Sequence, residues 1–390
     1  MVTSISTLGQ TLSQISNVKR QQFTLSDLQL QLSTGKISQK FSGLETNAII
    51  SKRSRAEFNS IETYINNITI ADRRLEQMST VIEELQNQAG NVANIVANEI
   101  QEGEISLDRI HDITENIIDF MEDLINAQDN ERYVFGGANT TTKPLSLSSG
   151  TLSTFLKGEL TDWRAETLTT DNLIASYRAT TDTVIGYNAP LTNGDVGKVT
   201  VRVDKTTEID YTTFGNADGF RDIIIATQML NELTVTDTSE VYHIEKIKLE
   251  RSDFDGATLP SDLPQTPPPG TSLVLPPDFS DPVVLDEFNA ENDQRADNFF
   301  KIINDLGRMI NQAIDDLDEV RFALESDRAR LSQIKDRHIL DKATVLNTIS
   351  DVENADIDEV AIKLNSLQIQ LEASYRVTAS VSGLTLATFL

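Results

Sequence analysis

All ten prolines of this chain lie between Pro144 and Pro282, and eight of them fall between Pro260 and Pro282. Residues 1–143 and 283–390 hold none. An interior proline removes a backbone donor, clashes with the preceding turn and costs a helix about 3 kcal/mol. Both flanks are therefore free to be long helices, and the middle is not. Glycine divides the same way, with eleven of eighteen between Gly136 and Gly270. The predicted plan is helix, then an irregular or strand-rich middle, then helix.

The flanks carry a helical period. Ile5, Leu8, Leu12 and Ile15 step by three and four, and Val18, Leu25 and Leu32 continue at sevens after a change of phase. At the far end Ile357, Val360, Leu364, Leu367 and Leu371 step in the same way, with Tyr375 next on that face. These are narrow stripes of the coiled-coil kind, set among Gln, Ser and Asn. A single stripe cannot stabilise an isolated helix, so each needs a partner, and the nearest candidate is the other stripe. The two ends are predicted to pair as antiparallel helices.

Further helices are predicted over about Glu45–Asn98, Ser106–Arg132, Asp218–Leu233 and Asp286–His338. Residues 134–215 are Thr-rich and alternate, as at Val199, Val201 and Val203, which predicts strands bounded by turns. Residues 252–282 form a proline-rich excursion that composition leaves open between an ordered arm and a loop. The predicted fold is mainly α with a β-rich middle domain. It is an elongated helical rod whose middle domain faces outward. The domains would be terminal coiled-coil helices at 1–44 and 340–390, a helical rod at 45–133 and 286–339, and a variable middle at 134–285.

Composition narrows the function. The 390 residues carry 60 acids against 33 bases, a net charge of −27, which disfavours a general grip on nucleic acid. Aromatics make up only 6%, which suits helices packed along thin seams better than one large core. Cysteine is absent, which removes disulfides and thiolate chemistry, and three histidines, His111, His243 and His338, leave little for an imidazole metal site. No stretch approaches eighteen consecutive apolar residues, so no membrane span is expected. The first thirty residues lack the pattern of a secretory leader. Residues 1–60 carry seven bases and three acids, whereas 61–130 carry three bases and fifteen acids. Such opposed segments suit head-to-tail association of copies, or are simply two solvated helix faces.

No catalytic motif stands out. STGKIS at 33–38 lacks the earlier glycine of a phosphate loop, and Gly136–Gly137 has no third glycine at dinucleotide spacing. Asp253, Asp255 and Gly256 resemble half a calcium loop without its closing Glu, and read as a turn. His111 and Glu115 share a helix face, as an exposed pair would. Asp315, Asp316, Asp318 and Glu319 read as the wet face of a helix. Neither a catalytic site, a metal nor a cofactor is expected.

Three stretches resemble the flagellins and their hook-associated relatives. LQLQLSTGKISQKFSGLETNAIIS (28–51) resembles that family's N-terminal signature, a leucine-rich helix followed by L-S-[ST]-G-[KR]. ERYVFGGANTTTKPL (131–145) is similar to the R-Y-[LV]-F-G-G segment leading into the middle domain of the hook-associated branch. Residues 346–390 resemble the C-terminal helix, with LQIQLEASYRVTASVSGLTLATFL closest to the hook–filament junction type. The usual Asp–Asp after the glycine turn is missing, with Glu45 the acid that remains. TTEIDYTTFGNADGFRDIIIATQML (206–230) resembles a segment of some filament flagellins, so a filament subunit is the alternative. The resemblance implies a structural flagellar subunit that is extracellular and exported unfolded without a leader. It would assemble through Ile5, Leu8, Leu12, Ile15, Leu25, Leu32, Ile357, Val360, Leu364, Leu367, Leu371 and Tyr375. Its implied partners are further copies of itself, the first hook-associated protein, flagellin and an export chaperone, with no nucleic acid and no membrane.

Overall fold

The computed structural model describes residues 2–102, 107–233 and 282–387. The chain forms two compact units, one of residues 1–66 and 334–390 and the other of residues 67–333. Helix dominates both. The proline-rich excursion, His243 and the half calcium loop lie outside the described residues.

The first unit contains α1 (Val2–Thr34), the start of α2 (Asn47–Glu102), the end of α9 (Pro282–Glu353) and α10 (Ile357–Ala387). Pro282 opens α9 at the position where a missing N–H costs nothing. Within this unit α2 and α9 run antiparallel. Lys342 Nζ bonds Glu62 at 2.8 Å and stands over the Phe58 ring, and Tyr64 stacks on His338 at 5.6 Å between ring centres.

In the second unit the remaining lengths of α2 and α9 pair through a buried apolar seam. Ile68, Leu75, Met78, Ile82, Leu85, Ala89, Val92 and Val96 advance by seven, three and four, and all are buried. Phe299, Ile302, Leu306, Met309, Ala313 and Leu317 answer them from α9. Polar side chains fix the register: Ser79 Oγ donates to Glu325 at 2.7 Å, and Gln86 donates to the Ile314 carbonyl at 3.0 Å. The unit's other core is α8 (Asp218–Glu232), surrounded by α3 (Leu107–Ile125), α4 (Thr151–Arg164), α5 (Thr170–Arg178) and α6 (Asp182–Ile185). A buried carboxylate ties α5 to α9. Asp305 accepts from the Tyr177 hydroxyl at 2.6 Å and takes Arg178 in a two-point grip at 2.9 Å. Burial pushes the Asp305 carboxyl up, but these donors outweigh it and hold it below its ordinary value.

The middle is not β-rich. Between 134 and 233 the described chain forms five α-helices, α4 to α8 with α7 at Ala189–Thr192, a 3-10 turn at Leu147–Ser149, and one short hairpin of β3 (Thr200–Arg202) and β4 (Glu208–Asp210). The valine alternation does make that hairpin, with Val201 and Val203 turned inward. Elsewhere the polar residues cap helices. Thr169 Oγ1 accepts from Asn172 N, and Asn188 Oδ1 accepts from Leu191 N, starting α5 and α7. Thr and Asn suit caps as well as strand edges, so composition alone points either way.

The segment RYVFGG forms a packed corner. Arg132 and Tyr133 make β2, paired with β1 (Gln128–Asp129), while Val134 and Phe135 are buried and the Phe135 ring lies 5.2 Å from Phe220. Gly137 has φ +55°, and a Cβ there would stand 2.5 Å from Val196 Cγ1 and 2.7 Å from Phe214 Cε1. Glycine is required twice over, by conformation and by space.

Candidate assembly surface

α1 and α10 pack against each other as an antiparallel pair. Gln22 Nε2 donates to the Tyr375 hydroxyl at 2.6 Å, and Ser374 Oγ donates to Gln21 at 3.4 Å. On α10 the seam follows Val360, Leu364, Leu367 and Leu371, with Val360 and Leu371 buried and the other two half-buried. Steps of four, three and four keep one edge of a helix against one partner.

The α1 side differs from the predicted stripe. Leu28 is buried there, with Gln14, Val18, Gln21, Leu25 and Gln31 half-buried around it. Leu12, Ile15 and Leu32 are exposed, as are Ile357 and Tyr375 on the other helix. Ile5 and Leu8 lie on α1, outside the described side chains. The reason is phase. The first stripe steps from Ile5 to Ile15, then shifts at Val18, and the helix presents the later phase to α10. Three glutamines share that face, which a count of apolar residues passes over.

Much apolar surface is thus left outside the seam. Phe23 is 76% exposed and Ile362 is 72% exposed, and Leu30, Ile369 and Val377 join them.

The hairpin is anchored at a joint where both signature turns meet. Gly35, at φ +67°, ends α1, and its N–H returns to the Gln31 carbonyl at 2.8 Å. Ile37 N then donates to the Glu353 carbonyl at 2.8 Å, and Ala355 N donates to the Gly35 carbonyl at 2.9 Å. Lys36 Nζ reaches Asn354 Oδ1 at 2.7 Å. Asp356 caps α10 by accepting the N–H groups of Asp358 and Glu359, both at 3.1 Å.

Under this bridge sits Glu353. Arg55 grips it at two points, each 2.6 Å, and the Ser51 hydroxyl donates at 2.6 Å. The hydrogen bonds from Arg55, helped by Ser51 and Lys36 against the opposing effect of burial, hold the Glu353 carboxyl down at about 2. Sequence reading missed Ser51, Arg55 and Glu353. The signal available was slight: an acid directly before a helix break, among many acids.

His111 Nδ1 lies 3.0 Å from the Asn231 carbonyl, at the end of α8. Among the described residues no cluster of His, Asp and Glu is placed to hold a metal ion, and no helix is long and apolar enough to cross a membrane.

Neither a protein-family pattern nor a curated protein matches the chain. Among solved structures it is similar to a Vibrio parahaemolyticus protein described as flagellar hook-associated. That similarity has 14% identity and a TM-score of 0.42, over 81% of this chain and 99% of that one. The likeness is too loose to fix a family, and the functional reading rests on the residues.

Proposed function

We propose that this chain is a structural subunit of the bacterial flagellum, of the hook-associated kind, and that it joins hook to filament. The observation that carries this reading is the α1–α10 pair, a two-helix seam with large apolar side chains left outside it. Two helices alone bury too little to be more than marginally stable. Copies stacked side by side would cover Phe23, Leu30, Ile362 and Ile369. The three motif stretches support the same reading, since their residues build the Gly35–Asp356 joint and the Phe135–Gly137 corner. In this reading the role is mechanical and not catalytic, and the chain uses no cofactor. It is exported unfolded and works outside the cell, meeting its own copies laterally, the first hook-associated protein below and flagellin above.

A filament subunit is the second reading, favoured by the resemblance of residues 206–230, which here form β4 and most of α8. The two separate cleanly. A filament subunit repeats without limit along its axis, so its upper and lower surfaces complement each other; a junction subunit meets different proteins on each side. Purified protein seeded with filament fragments is expected not to extend into long filaments of itself. Cells lacking it are expected to build hooks and shed flagellin into the medium. Long self-grown filaments under the electron microscope would overturn the junction role in favour of the filament.

A further inference from the structure

In a molecule with a net charge of −27, one cavity in the second unit is lined by cations. It measures about 840 Å³ and collects Arg73 and Arg74 from α2, Arg132 from β2 and Lys198 from the approach to β3. Its carboxylate is Asp129, which Arg73 holds at 3.0 Å, while Lys198 pairs with Asp210 beside it at 2.7 Å. Arg132 is exposed, and no carboxylate among the described residues pairs with it or with Arg74.

Arg74 is the informative member. It is only 8% exposed, its Nη2 donates to the Tyr133 carbonyl at 2.9 Å, and the Tyr211 phenol lies close enough to feel its charge. A guanidinium has five N–H donors and a charge it cannot lose. Buried charges are ordinarily paired, because an unpaired one forfeits its hydration. A buried Arg without a carboxylate, on the wall of an open cavity, is suited to a counterion from outside. Asn130 and Thr140 add neutral hydrogen-bonding groups to the same wall. The volume is that of a small-molecule site.

We propose that this cavity binds a small oxyanion-bearing molecule, its carboxylate or phosphate group held between Arg74 and Arg132. Forked guanidinium donors match the paired oxygens of either group. The rest of the surface repels anions in general, so capture here reflects the local arrangement and not overall charge.

The test titrates the full chain with citrate and, separately, with inorganic phosphate, ionic strength being held constant with chloride. Saturable one-site binding is expected by calorimetry. Binding of citrate alone would assign the site to carboxylates, and binding of phosphate alone to phosphates. The double variant Arg132→Ala and Lys198→Ala changes two exposed side chains and is expected to weaken binding by about tenfold or more. Arg74→Gln is expected to abolish it, and Lys363→Ala, in the other unit, to leave it unchanged. Fluorescence of the single tryptophan, Trp163, checks that each variant keeps the second unit folded. Absence of saturable binding by both anions, or binding indifferent to the double variant, would overturn the proposal.

Discussion

Helix α8 buries every side chain from Ile223 through Leu230, whereas α1 buries only Leu28 among its described side chains. Both helices are rich in aliphatic residues; what differs is the number of neighbours. Among the described residues α3, α4, α5 and α6 pack around α8 and α9 abuts it at Gly219, whereas α10 is the main neighbour of α1. Full burial of one Ile or Phe contributes about 1.5–3 kcal/mol, so the α8 region has ample reason to fold by itself. The hairpin rests on a few half-buried side chains and glutamines. Packing that is complete around α8 and sparse along α1 is what the proposed assembly through the terminal helices requires.

The sharpest way to break this comparison is at α8. Phe220→Ala removes a fully buried ring packed at a tilt against Phe135 and is expected to cost ~3–5 kcal/mol. Trp163, whose Nε1 donates to Thr170 at 3.1 Å, reports the second unit, so the loss should be read as an earlier urea midpoint in its fluorescence. An unshifted midpoint would mean that α8 is not the hub.

At the hairpin, Leu367→Asp puts a carboxylate in a half-buried seam, at ~2–3 kcal/mol. Assembly should fail while the Trp163 transition stays where it was; normal assembly would show that the seam does not govern association.

Arg55→Ala leaves Glu353 buried without its main partner, expected to cost ~2 kcal/mol because Arg55 itself is half-exposed and screened. Amide protection over residues 354–371 should fall, with α8 unaffected. The same pair sets an acid limit. Glu353 binds its proton less readily folded than unfolded, so its contribution is complete above its ordinary value near 4.5 and is lost as pH falls toward about 2. Glu353→Gln should flatten hairpin protection across that window; a variant still showing the wild-type acid loss would point to another group.

The smallest effect on the monomer is expected at Leu12. Leu12→Ser should change its stability by no more than ~0.5 kcal/mol, because the side chain is already exposed. The same variant should slow association in light scattering, and unchanged association would remove Leu12 from the surface between copies.

Long helices were legible because proline is absent from both flanks, and the α10 seam because Val360, Leu364, Leu367 and Leu371 keep one phase. The α1 seam was not legible, since glutamines occupy half of it and Leu12 and Ile15 belong to the earlier phase. The β-rich middle misread residues such as Thr169 and Asn188, whose oxygens cap helices as readily as they edge strands. The joint was invisible for a different reason: Arg55 and Glu353 look like ordinary surface charges until the fold brings them together. The same holds for Arg73, Arg74, Arg132 and Lys198, drawn from three separate stretches of chain.

That joint also dictates an order of events. Lys36 and Glu353 are 317 residues apart, and closing a flexible loop of that length costs about 5 kcal/mol in chain entropy. Once Glu62 and Lys342 have met, only 26 residues separate Lys36 from Glu62 and 11 separate Lys342 from Glu353, and the logarithmic cost falls to about 3 kcal/mol. The favourable route is therefore for α2 and α9 to zip first, for the Gly35 and Asn354 turns to latch next, and for α1 and α10 to close last. Whatever emerges from a narrow passage with its N-terminus leading must hold that first helix unmatched until nearly the whole chain has followed.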